Sequence, residues 1–314
     1  MAVVFTKVLE IFAILGIGFF ANRKGILPSS ASPYLTNLLL VIATPCLIIT
    51  SIASKELTQD TIKETIFVIG ANIVFFAVGA LAAMLLMRVL KIEPAEDRGV
   101  LSVVLCSVNS GFMGFPISLM IFGQEGLYYM VICNLVLTFY LYSLAFLQIG
   151  SKNKGKRTFK EIVKPMMNLC MLAAVLGVFF LFTGIKIPGP LFELMEILGD
   201  ATIPLSMILV GMLFGESDMK STLTDKRLLK VTFLSMAVWP IVTFSALYFV
   251  PIAPMPKAMV IFSVAFPSAA VVPALAQRQG MNAKLAAQGV TLTTMVSMIT
   301  IPVMALILMY VFGL

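Results

Sequence analysis

The chain contains no histidine, and only 12% of its 314 residues are charged. The first absence removes the side chain most often used as metal ligand and as general base near neutral pH, which argues against an intramembrane metalloprotease. The second excludes a soluble domain, whose surface needs far more charge than this. Cysteine is also scarce. Cys46, Cys106, Cys133 and Cys170 each lie inside an apolar run without metal-like spacing, and read as small buried hydrophobes and not as disulfides or ligands. No metal centre and no cofactor is expected. The net charge of +7 suggests no nucleic-acid partner here, because the placement of the basic residues reports membrane topology instead.

What is present is apolar length. Hydrophobic residues make up 60% of the chain and the mean hydropathy is +1.04, the signature of an all-α polytopic membrane protein whose main partner is the lipid bilayer. The pattern predicts ten spans, near 3–21, 32–53, 62–88, 97–122, 126–149, 162–183, 191–215, 228–250, 256–279 and 284–312. The first is read as a span and not a signal peptide: no small-residue cleavage site follows it, and Lys7 and Glu10 share one helical face, where they can pair. The 21 methionines are scattered through the spans as adaptable packing.

Connections between ten spans alternate sides, and the basic residues sort with them. Seventeen fall on one side: Arg23 and Lys24; Arg88, Lys91 and Arg98; six between Lys152 and Lys164; Lys220, Lys226, Arg227 and Lys230; Arg278 and Lys284. Only Lys7, Lys55, Lys63, Lys186 and Lys257 fall on the other. The positive-inside rule then predicts a multi-pass protein of the cytoplasmic (inner) membrane with both termini outside the cytoplasm. The basic stretch 151–161 becomes a cytoplasmic linker between two halves, 1–150 and 162–314, of five spans each.

The stretch from Arg98 to Gly123 is the most informative. It is long enough to cross a bilayer, yet carries Asn109-Ser110-Gly111 and Gly114-Phe115-Pro116 at its centre. Pro116 removes a backbone donor and the glycines supply conformational freedom, so 109–116 reads as an unwinding that must be buried in protein or line a cavity. Because five is odd, two similar halves must be inverted, and landmarks recur accordingly. Pro45 and Pro204 are 159 residues apart in the second and seventh spans; Pro116 and Pro273 are 157 apart in the fourth and ninth, each seven residues before a glycine. The ninth span, with Pro267 and Pro273, is then the inverted partner of the fourth. Half-helices starting near Pro116 and Pro273 would aim two positive ends at one point, a site for an anion and especially a carboxylate. Asn109, Ser110 and Ser268 would add neutral hydrogen-bonding groups.

Two further polar residues have two readings each. Asn134 in the fifth span either lines the cavity or hydrogen-bonds a neighbouring helix. Asp200, four residues before Pro204, is a candidate for proton coupling, or else caps local backbone near the outer surface.

In NSGFMGFP (109–116), in the proline-broken second and seventh spans, in SAAVVPALA (268–276) and in overall length, the chain resembles the auxin efflux carrier family, whose bacterial members include malate permeases. The resemblance covers essentially the whole sequence. It implies two inverted five-helix repeats of the bile-acid symporter or Na+/H+ antiporter kind, with broken helices 4 and 9 crossing. It also implies a scaffold of helices 1, 2, 6 and 7, a transport portion of helices 3–5 and 8–10, and elevator-like alternating access. Asn109 matches the asparagine that contacts the substrate carboxylate, Gly111 and Gly114 lie within the motif, and Pro116 and Pro273 match the crossover prolines. A homodimer is likewise implied. The long central loop of the plant members is missing, so regulation by phosphorylation and a preference for auxin do not carry over.

The expected function is a secondary active transporter for a small organic anion, with H+ or Na+ as coupling ion. The alternative from another class is a membrane-embedded enzyme, a transferase or a protease. That would need paired acids or a nucleophile with its base in a break, and neither is seen. An anion channel is a third reading. No Lys or Arg lies between Arg98 and Lys152 or between Lys257 and Arg278. The crossing should therefore favour a monocarboxylate, or a dicarboxylate accompanied by a proton or cation, over a bare dianion.

Overall fold

The computed structural model describes residues 2–150, 167–216 and 219–314, and all regular structure among them is helical. The expected linker 151–161, and the first residues of the expected sixth span, lie outside the described residues. In chain order the helices are α1 (Ala2–Arg23), α2 (Ser32–Leu38), α3 (Thr44–Ala53), α4 (Gln59–Val89), α5 (Asp97–Cys106), α6 (Phe115–Tyr142), α7 (Leu144–Ile149) and α8 (Leu169–Thr183). They continue as α9 (Gly189–Asp200), α10 (Thr202–Gly215), α11 (Met219–Thr224), α12 (Lys226–Phe233), α13 (Trp239–Tyr248), α14 (Pro254–Val264), α15 (Val272–Arg278) and α16 (Ala283–Phe312).

Six stretches among the described residues are long and apolar enough to cross a bilayer: Ser29–Ala53, Gln59–Val89, Asp97–Ile149, Gly189–Gly215, Lys226–Tyr248 and Ala283–Phe312. Leu169–Thr183 and Pro254–Val264 are shorter apolar helices. The difference from ten has local causes. The expected fourth and fifth spans form one 53-residue stretch, turned at Gly123, whose φ of 68° is open to a residue without a side chain. The expected ninth span is divided into α14 and α15 by seven non-helical residues, 265–271. The expected first span is present as α1, outside the six, and its Lys7 and Glu10 pair at 3.9 Å.

Proline sets the interruptions. Three wide, π-helical turns, Leu39–Ala43, Ser110–Gly114 and Leu234–Val238, each begin six residues before a proline: Pro45, Pro116 and Pro240. A proline has no N–H for the carbonyl four residues back and its ring crowds that carbonyl, so the turn before it widens. Pro204 is the third residue of α10 and follows the break at Ala201 between α9 and α10. The proline placed at the middle of the seventh span by sequence thus stands at a helix start.

The chain forms two compact units: Met1–Ile66, Gly111–Ile132 and Met166–Glu216 in the first, and Phe67–Ser110, Cys133–Pro165 and Ser217–Leu314 in the second. In the first unit, α1 lies along α10 at small-residue contacts. A Cβ at Gly211 would overlap the Leu15 carbonyl, and one at Gly18 would overlap the backbone of Ile208. Such residues allow close backbone approach where lipid provides no hydrophobic drive for helix association. Gly177 seats Ile52 on α8, and Gly199 seats Leu47 on α9, so α3 is held from both sides.

The second unit is tied by polar groups at helix ends. Asp97, buried at the start of α5, accepts from Arg227 at 2.9 Å and from the Asn282 amide at 3.0 Å. Arg227 also holds Asp225, which caps α12 by accepting from the Arg227 N–H at 2.8 Å. This neighbouring guanidinium holds the Asp225 carboxyl below the usual carboxylate range. Lys257, nearly buried, donates to the Val250 carbonyl at 2.9 Å just past the end of α13 and lies over the Phe312 ring at 5.2 Å.

Candidate functional site

The site is built from two unwound segments of the second unit. Helix α5 ends at Cys106, and Ser107 turns the chain into an extended conformation with ψ 151°. Residues 107–109 are non-helical before the wide turn Ser110–Gly114 begins. Helix α14 ends at Val264, and the chain stays non-helical until α15 starts at Val272, with Pro273 in its first turn.

The segments bind each other directly. The Asn109 N–H donates to the Pro267 carbonyl at 2.7 Å. The hydroxyls of Ser107 and Ser268 are 2.9 Å apart, and Ser107 Oγ also accepts from the Ala269 N–H at 3.3 Å. A third element completes the knot: Thr293 of α16 accepts from the Ser268 N–H at 3.1 Å. Ser107, Ser110, Ser268 and Thr293 are fully buried and Asn109 is 5% exposed. Each hydrogen bond replaces one that helix or water would have given, which is what broken backbone needs at membrane depth.

Unsatisfied donors remain at this crossing. Ser110 donates to Asn134 Oδ1 at 2.8 Å, and the amide N–H groups of the half-buried Asn134 meet no partner among the described residues. The half-buried Ala270 and Val271 have backbone N–H groups that also meet no partner among the described residues. The half-helix that follows, α15, has only seven residues. So short a helix offers little macrodipole charge at its N-terminus. The free donors are individual N–H groups more than a macrodipole.

Of the residues singled out by sequence, Asn109, Ser110, Asn134, Pro267 and Ser268 are brought together, and Pro273 opens the helix that leaves the crossing. Gly111, Gly114 and Pro116 follow directly along the chain, within the first unit. Pro45 and Pro204 start helices in that unit, and Asp200 is the exposed last residue of α9. Ser107 and Thr293 are the participants that sequence reasoning missed. The available signals were faint: a hydroxyl two residues before Asn109, and the threonine run at 291, 293 and 294. Among the described residues, no three His, Cys, Asp or Glu side chains gather into a set of metal ligands.

Residues 3–305 match the model of a family described as membrane transport protein. The chain is 26% identical over 308 residues to an uncharacterized transporter of Methanocaldococcus jannaschii, an alignment covering 96% of this chain and 98% of the relative. It is 24% identical over 304 residues to an uncharacterized transporter of Methanothermobacter thermautotrophicus, covering 96% and 97%.

Proposed function

Since the chain belongs to the membrane transport protein family, we propose that it is a secondary carrier for a small organic anion, whose carboxylate binds where segments 107–109 and 265–271 cross. The observation that carries this reading is the direct bond from the Asn109 N–H to the Pro267 carbonyl, which joins two breaks in apolar helices into one buried polar centre. Irregular backbone at the crossing of two interrupted helices is the arrangement by which transporters bind solutes near the bilayer midplane. Asn134 and the N–H groups of Ala270 and Val271 supply neutral donors suited to a carboxylate.

The inverted repeat is part of the same proposal. Its support is the recurrence of prolines at offsets of 159 and 157 residues and the break in both the fourth and ninth spans. Elevator-like movement draws support from the division into units. The first unit holds α1 to α3 and α8 to α10, the helices of spans 1, 2, 6 and 7, and the second holds most of the remainder. The segment Gly111–Ile132 departs from that division by joining the first unit. We place the basic connections in the cytoplasm and both termini outside, by the asymmetry of Lys and Arg.

The charge of the substrate follows from the second unit's cations. Lys257, in α14, is engaged with the Val250 carbonyl, and no Lys or Arg lies in either break. Neutral donors alone stabilise one negative charge better than two, so the site takes monocarboxylates, or dicarboxylates that bring a proton or cation. Counterflow of labelled malate and of labelled pyruvate in proteoliposomes tests the class. A carrier gives transient accumulation of unmodified label against preloaded substrate. Chemical conversion of the label would point to an enzyme, and flux without a counterflow overshoot would point to a channel.

A further inference from the structure

We propose that the cavity where α3 and α8 end binds the headgroup of a zwitterionic phospholipid, with the phosphate at Lys186 and Lys55 and the ammonium at Glu56. The site belongs wholly to the first unit, and its occupant does not depend on what the crossing carries. The cavity, of about 520 Å³, opens where apolar length runs out. Ala53 is the last residue of one spanning stretch, Gly184 follows α8, and Phe192 lies in the first turn of α9, where another spanning stretch begins. Such a place is the boundary between hydrocarbon and water, at the depth of lipid headgroups.

Three charged side chains line the cavity: Lys55, Glu56 and Lys186. Lys55 is fixed in place, since its ammonium binds Glu125 at 3.1 Å and lies 5.1 Å from the Tyr129 ring centroid and 5.5 Å from that of Tyr128. An ammonium has three N–H donors, so others are left for a ligand. The Lys186 ammonium and the Glu56 carboxylate share the cavity, yet pair neither with each other nor with another charged side chain among the described residues. Opposite charges held apart across one cavity match a ligand that carries both signs. Two ammoniums, Lys55 and Lys186, stand against two carboxylates, Glu56 and Glu125. A zwitterion fits that balance, whereas an anionic headgroup would bring one negative charge too many. Lys55 and Lys186 also lie on the side holding few of the basic residues, where the positive-inside rule gives no reason for a lysine.

The lining selects a lipid over a soluble zwitterion. Phe180, Ile185, Ile187 and Phe192 share the cavity with the charges, and the neighbouring Phe179 and Phe182 of α8 are exposed. This is apolar surface for acyl chains next to polar groups for a headgroup. A bound headgroup bridges the connection after α3, at Glu56, to the connection after α8, at Lys186. It thereby ties the ends of two helices that already pack through Gly177 and Ile52, so occupancy stabilises the protein.

The experiment incubates purified full-length protein in detergent with equal amounts of phosphatidylethanolamine and phosphatidylglycerol, and reads bound lipid by native mass spectrometry and stability by melting. Wild type retains phosphatidylethanolamine about ten-fold over phosphatidylglycerol and melts higher with the former. Glu56→Gln leaves two ammoniums against one carboxylate and reverses the order, in favour of phosphatidylglycerol. Lys186→Gln loses most of the bound phosphatidylethanolamine and its melting shift. Both side chains are exposed, so the variants fold. Equal retention of the two lipids by wild type, or an unchanged order in Glu56→Gln, overturns the site. Soluble phosphoethanolamine, added at the same concentration, gives no melting shift; an equal shift would overturn the lipid in favour of a free zwitterion. No readout here involves transport, so failure of the lipid site leaves the carrier reading standing, and absence of counterflow leaves the lipid site standing.

Discussion

Thr293 shows how much a single hydroxyl can hold. Its Oγ1 accepts from the Ser268 N–H and donates to the Gly289 carbonyl at 2.9 Å, so the unwound ninth span is pinned to α16. Thr293→Val keeps the shape but orphans a buried donor, at a cost of about 1–3 kcal/mol. We expect a lower melting temperature in detergent for Thr293→Val and near-wild-type behaviour for Thr293→Ser. Equal melting of all three would remove Thr293 from the crossing. Asp225 gives a pH prediction. Its carboxyl is held below the usual range by Arg227, so its stabilising contribution is complete above the ordinary carboxylate range and is lost as pH falls through its depressed value. The melting difference between wild type and Asp225→Asn should be constant from about pH 8 to 5 and shrink below about 4. At this scale the sequence is legible only in part. Asn109 and Ser268 stand out because they sit at helix breakers. Thr293 and Ser107 do not, because hydroxyls in apolar helices commonly bond their own preceding turn, as Thr36, Thr50, Thr65 and Ser245 do here.

The elements were more legible than the residues, because their boundaries obey backbone rules. Each wide turn begins six residues before a proline, and the positive-φ turn between the fourth and fifth spans falls at Gly123, where a glycine permits it. Pro240 belongs to the same series, whereas Pro302 lies inside the continuous helix α16 without a wide turn before it, so a proline alone does not announce one. Helix pairing was not readable. The contact of α1 with α10 depends on Gly18 and Gly211 facing backbone, whereas Gly16, two residues from Gly18, has nothing within 4 Å of a built Cβ. Spacing alone does not say which glycine meets a neighbour. Gly211→Val and Gly18→Val should therefore each destabilise the protein by about 1–3 kcal/mol or more through forced separation of the helices, while Gly16→Ala should be neutral. Thermal unfolding of the three variants checks this, and equal loss for Gly16→Ala would refute the assigned packing.

For the whole molecule, the membrane class follows from composition and the family from a match over residues 3–305. The partition into units that cut across the two sequence halves is a tertiary property. It sends 111–132 to one unit and Ser110 and Asn134 to the other, although all lie within one continuous stretch of spans. The central claim joins these scales: a neutral crossing of two broken helices binds an organic anion. It is tested most directly by equilibrium binding of labelled pyruvate or malate to purified wild type and to Asn109→Ala in the same detergent, with melting curves recorded on both. Loss of hydrogen bonds to a bound carboxylate costs about 1–3 kcal/mol, so affinity should fall roughly 10- to 100-fold. Unchanged affinity in a folded Asn109→Ala protein would contradict the account and place the anion elsewhere.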